Sequence, residues 1–125
     1  MGENEQLYRE AILEHYRSPH NKGKMKDPDA EAIGANPFCG DSILVHLKLR
    51  GNVVEDIKFD GVGCAISVAS ASMVTDKLKG MKIAGIMKLG DGDIVKMIGM
   101  DPGAARIRCA RLALETVKKA LASKK

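Results

Sequence analysis

Residues 42–59 read SILVHLKLRGNVVEDIKF, and they set the class of the fold. Ile43, Val45, Leu47 and Leu49 alternate with Ser42, His46 and Lys48, the period of a strand with one buried face. Arg50-Gly51-Asn52 is a turn, after which Val53, Ile57 and Phe59 resume the alternation against Asp56 and Lys58. The two runs therefore pair as an antiparallel hairpin. A short third strand is expected through Val62 to Ile66. Downstream, the small-residue run that begins at Ser67 predicts a helix to about Lys79, stopped by Gly80. Residues 81–100 hold short helical pieces punctuated by Gly85, Gly90, Gly92 and Gly99. Asp101-Pro102 offers an N-cap and a first-turn proline to a last helix, in which Ile107, Ala110, Leu114, Val117 and Leu121 line one face. Upstream, Leu7, Ala11 and Tyr16, with Tyr8 and Ile12, give an amphipathic helix over residues 4–16 that Ser18-Pro19 ends. Residues 18–37 carry no sustained period and read as a long loop.

The 125 residues suit a single domain spanning 1–125. Aromatics are only 3%, so the core is built from aliphatic side chains and methionine. The net charge of +4 is spread along the chain instead of gathered in a stripe, which argues against nucleic acid binding. No apolar run approaches the roughly 18 residues needed to span a bilayer, so no membrane role is expected. The polar, acidic start Gly2-Glu3-Asn4-Glu5 is not a secretory signal, which places the chain in the cytoplasm.

Cys39, Cys64 and Cys109 form an odd, widely spaced set, unlike a disulfide framework. Cys39 stands in Asn36-Pro37-Phe38-Cys39-Gly40-Asp41, with a carboxylate two residues away. Cys64 follows Gly61-Val62-Gly63 and precedes a helix, where free N–H groups favour negative charge on sulfur. Cys109 falls about two turns into the last helix, beside Arg108 and three residues after Arg106. Glycine-lined and arginine-flanked cysteines point to metal or sulfur chemistry over inert packing. There is no Cys-x-x-Cys pair, and His15, His20 and His46 stand in unrelated contexts. His15 and Tyr16 read as helix packing, and the Ser67–Ser72 run as a packing face.

Taken together, Asn36-Pro37-x-Cys39-Gly40-Asp41, Gly61-x-Gly63-Cys64-Ala65-x-Ser67-x-Ala69-Ser70-x-Ser72 and Arg106-x-x-Cys109-Ala110-x-Leu112-Ala113 resemble the three cysteine motifs of the NifU/IscU family. Tyr8, His15-Tyr16 and Pro19-x-Asn21-x-Gly23 resemble that family's N-terminus. The resemblance implies an α+β fold: a three-stranded antiparallel sheet packed by helices, with a long C-terminal helix and the cysteines at one end. It implies a scaffold on which persulfide sulfur from a cysteine desulfurase and Fe2+ are built into a labile [2Fe–2S] cluster. The cluster then passes to recipient apo-proteins. Carried over by motif, Cys39, Cys64 and Cys109 are the cluster ligands and persulfide acceptors, and Asp41 binds metal or keeps the cluster labile. Three thiolates with a replaceable fourth ligand suit a site that releases its cargo.

Two features depart from the bacterial scaffold pattern. Arg108 replaces the histidine that precedes the third cysteine, and a guanidinium cannot ligate metal. His46 is no substitute, since its strand parity opposes Asp41 and it lies roughly 16 Å along the strand. The fourth position then falls to Asp41, to an exogenous thiol or sulfide, or to a second subunit in a cluster-sharing homodimer. The arginine resembles the family's zinc-binding branch, which holds Zn2+ with one Asp and three Cys and relays persulfide as a sulfurtransferase. The short gap between Cys64 and Cys109 resembles the scaffold branch. Met100-Asp101-Pro102-Gly103 stands where chaperone-served scaffolds carry Leu-Pro-Pro-Val-Lys.

Overall fold

The computed structural model describes residues 3–36, 40–99, 103 and 106–123. Eight elements follow in chain order: α1 (Glu3–Arg17), β1 (Ala30–Asn36), β2 (Asp41–Arg50), β3 (Val53–Val62), α2 (Ala65–Leu78), α3 (Ile83–Met87), α4 (Asp91–Ile98) and α5 (Ile107–Ser123). The three strands form one antiparallel sheet in the order β1-β2-β3. The α+β class and the sheet type expected from the resemblance are both present.

The hairpin forms as its alternation predicts, but the third strand is not where the sequence placed it. β3 runs unbroken to Val62, and Ala65 already belongs to α2, so no strand exists over residues 62–66. The third strand is β1, cut from the stretch read as loop. Its residues Ala-Glu-Ala-Ile-Gly-Ala-Asn lack the β-branched density that marks a strand, and pairing with β2 imposes the conformation instead. A bulge between Lys48 and Leu49 skips Glu55, so Leu49 pairs with Val54 and Lys48 with Asp56. Val54 is consequently buried along with Ile57 and Phe59, and Val53 is not on the fully buried face that simple alternation gave it.

The remaining loop, residues 18–29, straps the outer face of the sheet. Phe59 N–H donates to the Asn21 carbonyl and Gly23 N–H to the Phe59 carbonyl, which tie the strap to β3. Met25 N–H then donates to His46 Nδ1 at 2.9 Å, and Asp29 N–H to the Leu47 carbonyl. With Nδ1 accepting, His46 presents Nε2 to Glu31 at 3.1 Å, so this histidine is committed to the fold.

On the inner face, Ile43, Val45, Leu47, Val54, Ile57 and Phe59 meet α2 and α5. Each fully buried aliphatic side chain here contributes about 1.5–3 kcal/mol. α2 is buried almost all round, including Ser67, Ser70, Ser72 and Thr75, because α1, α5 and the sheet pack on it from different sides. The small side chains read as a packing face serve that close approach. Gly80, at φ +88, ends α2 as expected.

α5 crosses β1 where Gly34 leaves no room. A Cβ at Gly34 would stand 2.0 Å from Thr116 Oγ1 and 3.2 Å from Thr116 Cβ. The Thr116 hydroxyl cannot simply swing aside, since it donates to the Leu112 carbonyl at 2.7 Å. Gly34→Ala is expected to lower stability by about 1–3 kcal/mol in urea unfolding with no change in slope.

Candidate metal centre

Two helices begin and one strand opens at the same end of the sheet. Asp41 is the first residue of β2, pairs with Asn36 of β1 across the sheet, and is only 2% exposed. Cys64 is the N-cap of α2. Its N–H donates to Asp41 Oδ1 at 3.0 Å, its Sγ lies 4.0 Å from Asp41 Oδ2, and the sulfur accepts the Ser67 N–H at 3.4 Å. A sulfur thus takes the place of the oxygen that normally caps a helix.

The glycines before Cys64 make this approach feasible. Gly61 has φ +151, and a Cβ there would stand 2.1 Å from the Ser42 carbonyl oxygen. A Cβ at Gly63 would press on Asp41 Oδ1 at 3.1 Å and Ser67 Oγ at 3.0 Å. Gly61-x-Gly63 therefore lets the chain turn off β3 against Asp41 without a side chain in the way.

Cys109 stands in the first turn of α5, not two turns in as the sequence suggested. α5 runs from Ile107, and the carbonyl of Gly103, at φ +86, accepts the Ile107 N–H just before it. The proposed cap Asp101-Pro102 lies outside the described residues. The consequence is electrostatic: the first turns of α2 and α5 both lie at this corner, where helix dipoles favour anionic ligands. Cys109 is 3% exposed, and Asn36 Nδ2 lies 3.7 Å from its sulfur.

One donor atom from each of Asp41, Cys64 and Cys109 lies within 4.8 Å of the other two. Donors around a tetrahedral zinc-sized ion stand roughly 3.3–3.8 Å apart, so modest side-chain rotation would complete coordination. Cys64 is exposed while Asp41 and Cys109 are buried, which leaves the centre open on one side. Cys39 and Pro37 lie outside the described residues. Arg108 is exposed on α5. His46, on the opposite face of the sheet from the buried Asp41 row, takes no part in the cluster.

Asn36 and the Ser67 N–H are site features that the sequence reading passed over. Asn36 stood in the first cysteine motif but signalled only a turn, and its partner Cys109 is 73 residues away. Donors to a ligating sulfur typically change metal affinity 10- to 100-fold. Asn36→Ala is expected to weaken zinc binding about tenfold, read by chelator competition, with the helical circular dichroism unchanged.

Comparison with known proteins gives the same picture. Residues 7–125 match the family described as NifU-like N terminal domain. A zinc-dependent sulfurtransferase of Bacillus subtilis is 38% identical over 93% of this chain and 90% of its own length. An iron–sulfur cluster assembly scaffold protein of Archaeoglobus fulgidus is 32% identical over 92% of this chain and 74% of its own length. Among solved structures, a hypothetical protein superposes with a TM-score of 0.81 at 29% identity, covering 94% of this chain and 98% of that one. The N-terminal part of a nitrogen-fixing NifU-like protein from Brucella abortus superposes at 0.77 with 23% identity and 94% of each chain covered, which supports the shared fold. The Bacillus alignment extends over 133 positions, more than the 125 residues of this chain, so that relative carries residues this one lacks. The Archaeoglobus alignment needs only 115.

Proposed function

Since the chain belongs to the NifU-like N-terminal domain family, we propose that it is an assembly scaffold for a labile [2Fe–2S] cluster, with Cys39, Cys64 and Cys109 as sulfur ligands and Asp41 as the fourth, weaker one. The observation that carries this reading is the convergence of Asp41, Cys64 and Cys109 at two helix N-termini, open on the Cys64 side. Cys39 is included on its motif, Asn36-Pro37-x-Cys39-Gly40-Asp41, which sets it two residues from Asp41 in the chain. Thiolates suit iron, sulfide and zinc alike, and a carboxylate is the harder ligand that soft iron–sulfur chemistry gives up first.

In this reading a cysteine desulfurase presents a persulfide, and a thiolate of the centre attacks its terminal sulfur. A new S–S bond forms on the scaffold and the desulfurase cysteine leaves as thiolate. Two further electrons per sulfur, from an external thiol or ferredoxin-type reductant, give the sulfide that bridges two irons. The positive ends of α2 and α5 offset the negative charge that three thiolates, a carboxylate and sulfide bring together. The protein then acts as a carrier and not as a turnover enzyme. Among the described residues no helix is long and apolar enough to cross a membrane.

A second reading has a specific observation in its favour. Asp41 lies beside Cys64 and Cys109, an arginine stands in place of histidine before Cys109, and with Cys39 these would supply one Asp and three Cys to zinc; the Bacillus relative is a zinc-dependent sulfurtransferase. Cluster transfer separates the two. Reconstituted protein mixed with an apo-ferredoxin is expected to pass on its cluster, read as growth of the acceptor's visible circular dichroism. No transfer, together with zinc-dependent acceleration of desulfurase turnover, would establish the sulfur-relay reading instead.

A further inference from the structure

At the far end of α2 a second group of metal-binding side chains comes together. His15 from the last turn of α1, His20 from the strap and Asp76 from the last turn of α2 each place one donor atom within 4.8 Å of the others. Asp76 follows Cys64 by 12 residues of helix, or about 18 Å of axial rise, so this is separate from the cysteine centre. We propose that His15, His20 and Asp76 form a second metal site, open to solvent, for a first-row divalent ion of the zinc or cobalt class. Two imidazoles and one carboxylate select such borderline ions over Mg2+ or Ca2+, which want oxygen alone.

The surroundings hold these ligands in place. His15 Nδ1 is 2.6 Å from Ser72 Oγ, which also accepts the His20 N–H at 2.8 Å. His20 Nδ1 is 2.5 Å from Asp76 Oδ2. The other carboxylate oxygen, Asp76 Oδ1, accepts from Asn21 Nδ2 at 2.9 Å, and Asn21 is fixed in turn by Thr75 and Lys79. Outer hydrogen bonds of this kind set ligand orientation in metal sites. Asn21 adopts φ +61, a conformation non-glycine residues seldom take, so the strap is bent to bring His20 and Asn21 onto α2.

The two imidazole rings lie 4.6 Å apart, tilted by 54°. Burial, reinforced by His20 alongside, holds His15 below its usual pKa. Burial pushes the Asp76 carboxyl up, but the hydrogen bonds from His20 and Asn21 outweigh it and leave the group below its usual range. His15 and Asp76 also border an open groove of about 400 Å³, walled by Ala11, Met73, Met97 and Ile98. Three protein donors leave an ion of this class a place for an exogenous ligand, and the groove lies beside two of them.

The test is an anaerobic titration of the full-length apo-protein with cobalt(II) chloride. Wild type is expected to bind two equivalents, one with thiolate-to-cobalt charge transfer and one with ligand-field bands alone. His20→Ala and Asp76→Asn are expected to weaken the second event at least tenfold and to retain the thiolate band, which also shows that each variant is folded. Cys64→Ser is expected to lose the thiolate band and keep the second event. A wild type that binds cobalt only with the thiolate band, or a second equivalent indifferent to His20→Ala and Asp76→Asn, would overturn the site. Loss of the thiolate event alone would count against the cysteine centre and leave this one standing.

Discussion

Cys64→Ser is expected to reduce zinc affinity by roughly a thousandfold and to abolish cluster assembly while leaving the fold intact. Structural zinc sites draw on the order of 10–16 kcal/mol from their ligands, so removing one thiolate from a four-ligand centre is severe. The fold is spared for a local reason. Cys64 is exposed and caps α2 through its side chain, and serine is among the preferred residues for that role. The variant should unfold within about 1 kcal/mol of wild type, and could be slightly more stable. Chelator competition for zinc and urea unfolding check the two halves separately. A marked loss of stability with metal binding retained would make Cys64 a packing residue.

Gly61→Ala is expected to destabilise the protein by about 2–4 kcal/mol and to disable the centre with it. The new Cβ would sit 2.1 Å from the Ser42 carbonyl oxygen and 2.9 Å from Ile43 Cα, both backbone atoms of the paired strand. The φ of +151 adds backbone strain for any residue with a side chain. Relief requires the end of β3 to pull away from β2, and that end delivers Cys64 to Asp41. Gly34→Ala should cost less, because there the neighbour is a threonine side chain. The ordering of the two variants in urea unfolding, with Gly61→Ala the worse, checks the assignment of Gly61 to site architecture.

Much of the fold was legible because its strongest signals are local. The hairpin over β2 and β3 and the buried face of α5 announce themselves by period, and Gly80 ends α2 where a left-handed residue is needed. β1 was not legible, since Ala-Glu-Ala-Ile-Gly-Ala-Asn becomes a strand through its pairing with β2 and its close contact with α5. The bulge at Glu55 was equally hidden, being a property of two strands in register. In the site, the cysteine motifs singled out Asp41, Cys64 and Cys109, and the fold brings their donor atoms within 4.8 Å of one another. What they could not supply was the start of α5 at Ile107, which puts Cys109 in the helix's first turn instead of mid-helix. His15 reads as helix packing and His20 as standing alone, because the sequence does not show that α2 brings Asp76, 56 residues after His20, beside them both.

Metal and sulfide content after anaerobic incubation with a cysteine desulfurase, cysteine and ferrous iron tests the central claim most directly. The account predicts near-equal iron and acid-labile sulfide, with visible charge-transfer bands that vanish in Cys39→Ser, Cys64→Ser and Cys109→Ser. Zinc held tightly by the same residues, with neither iron nor sulfide gained, would contradict it.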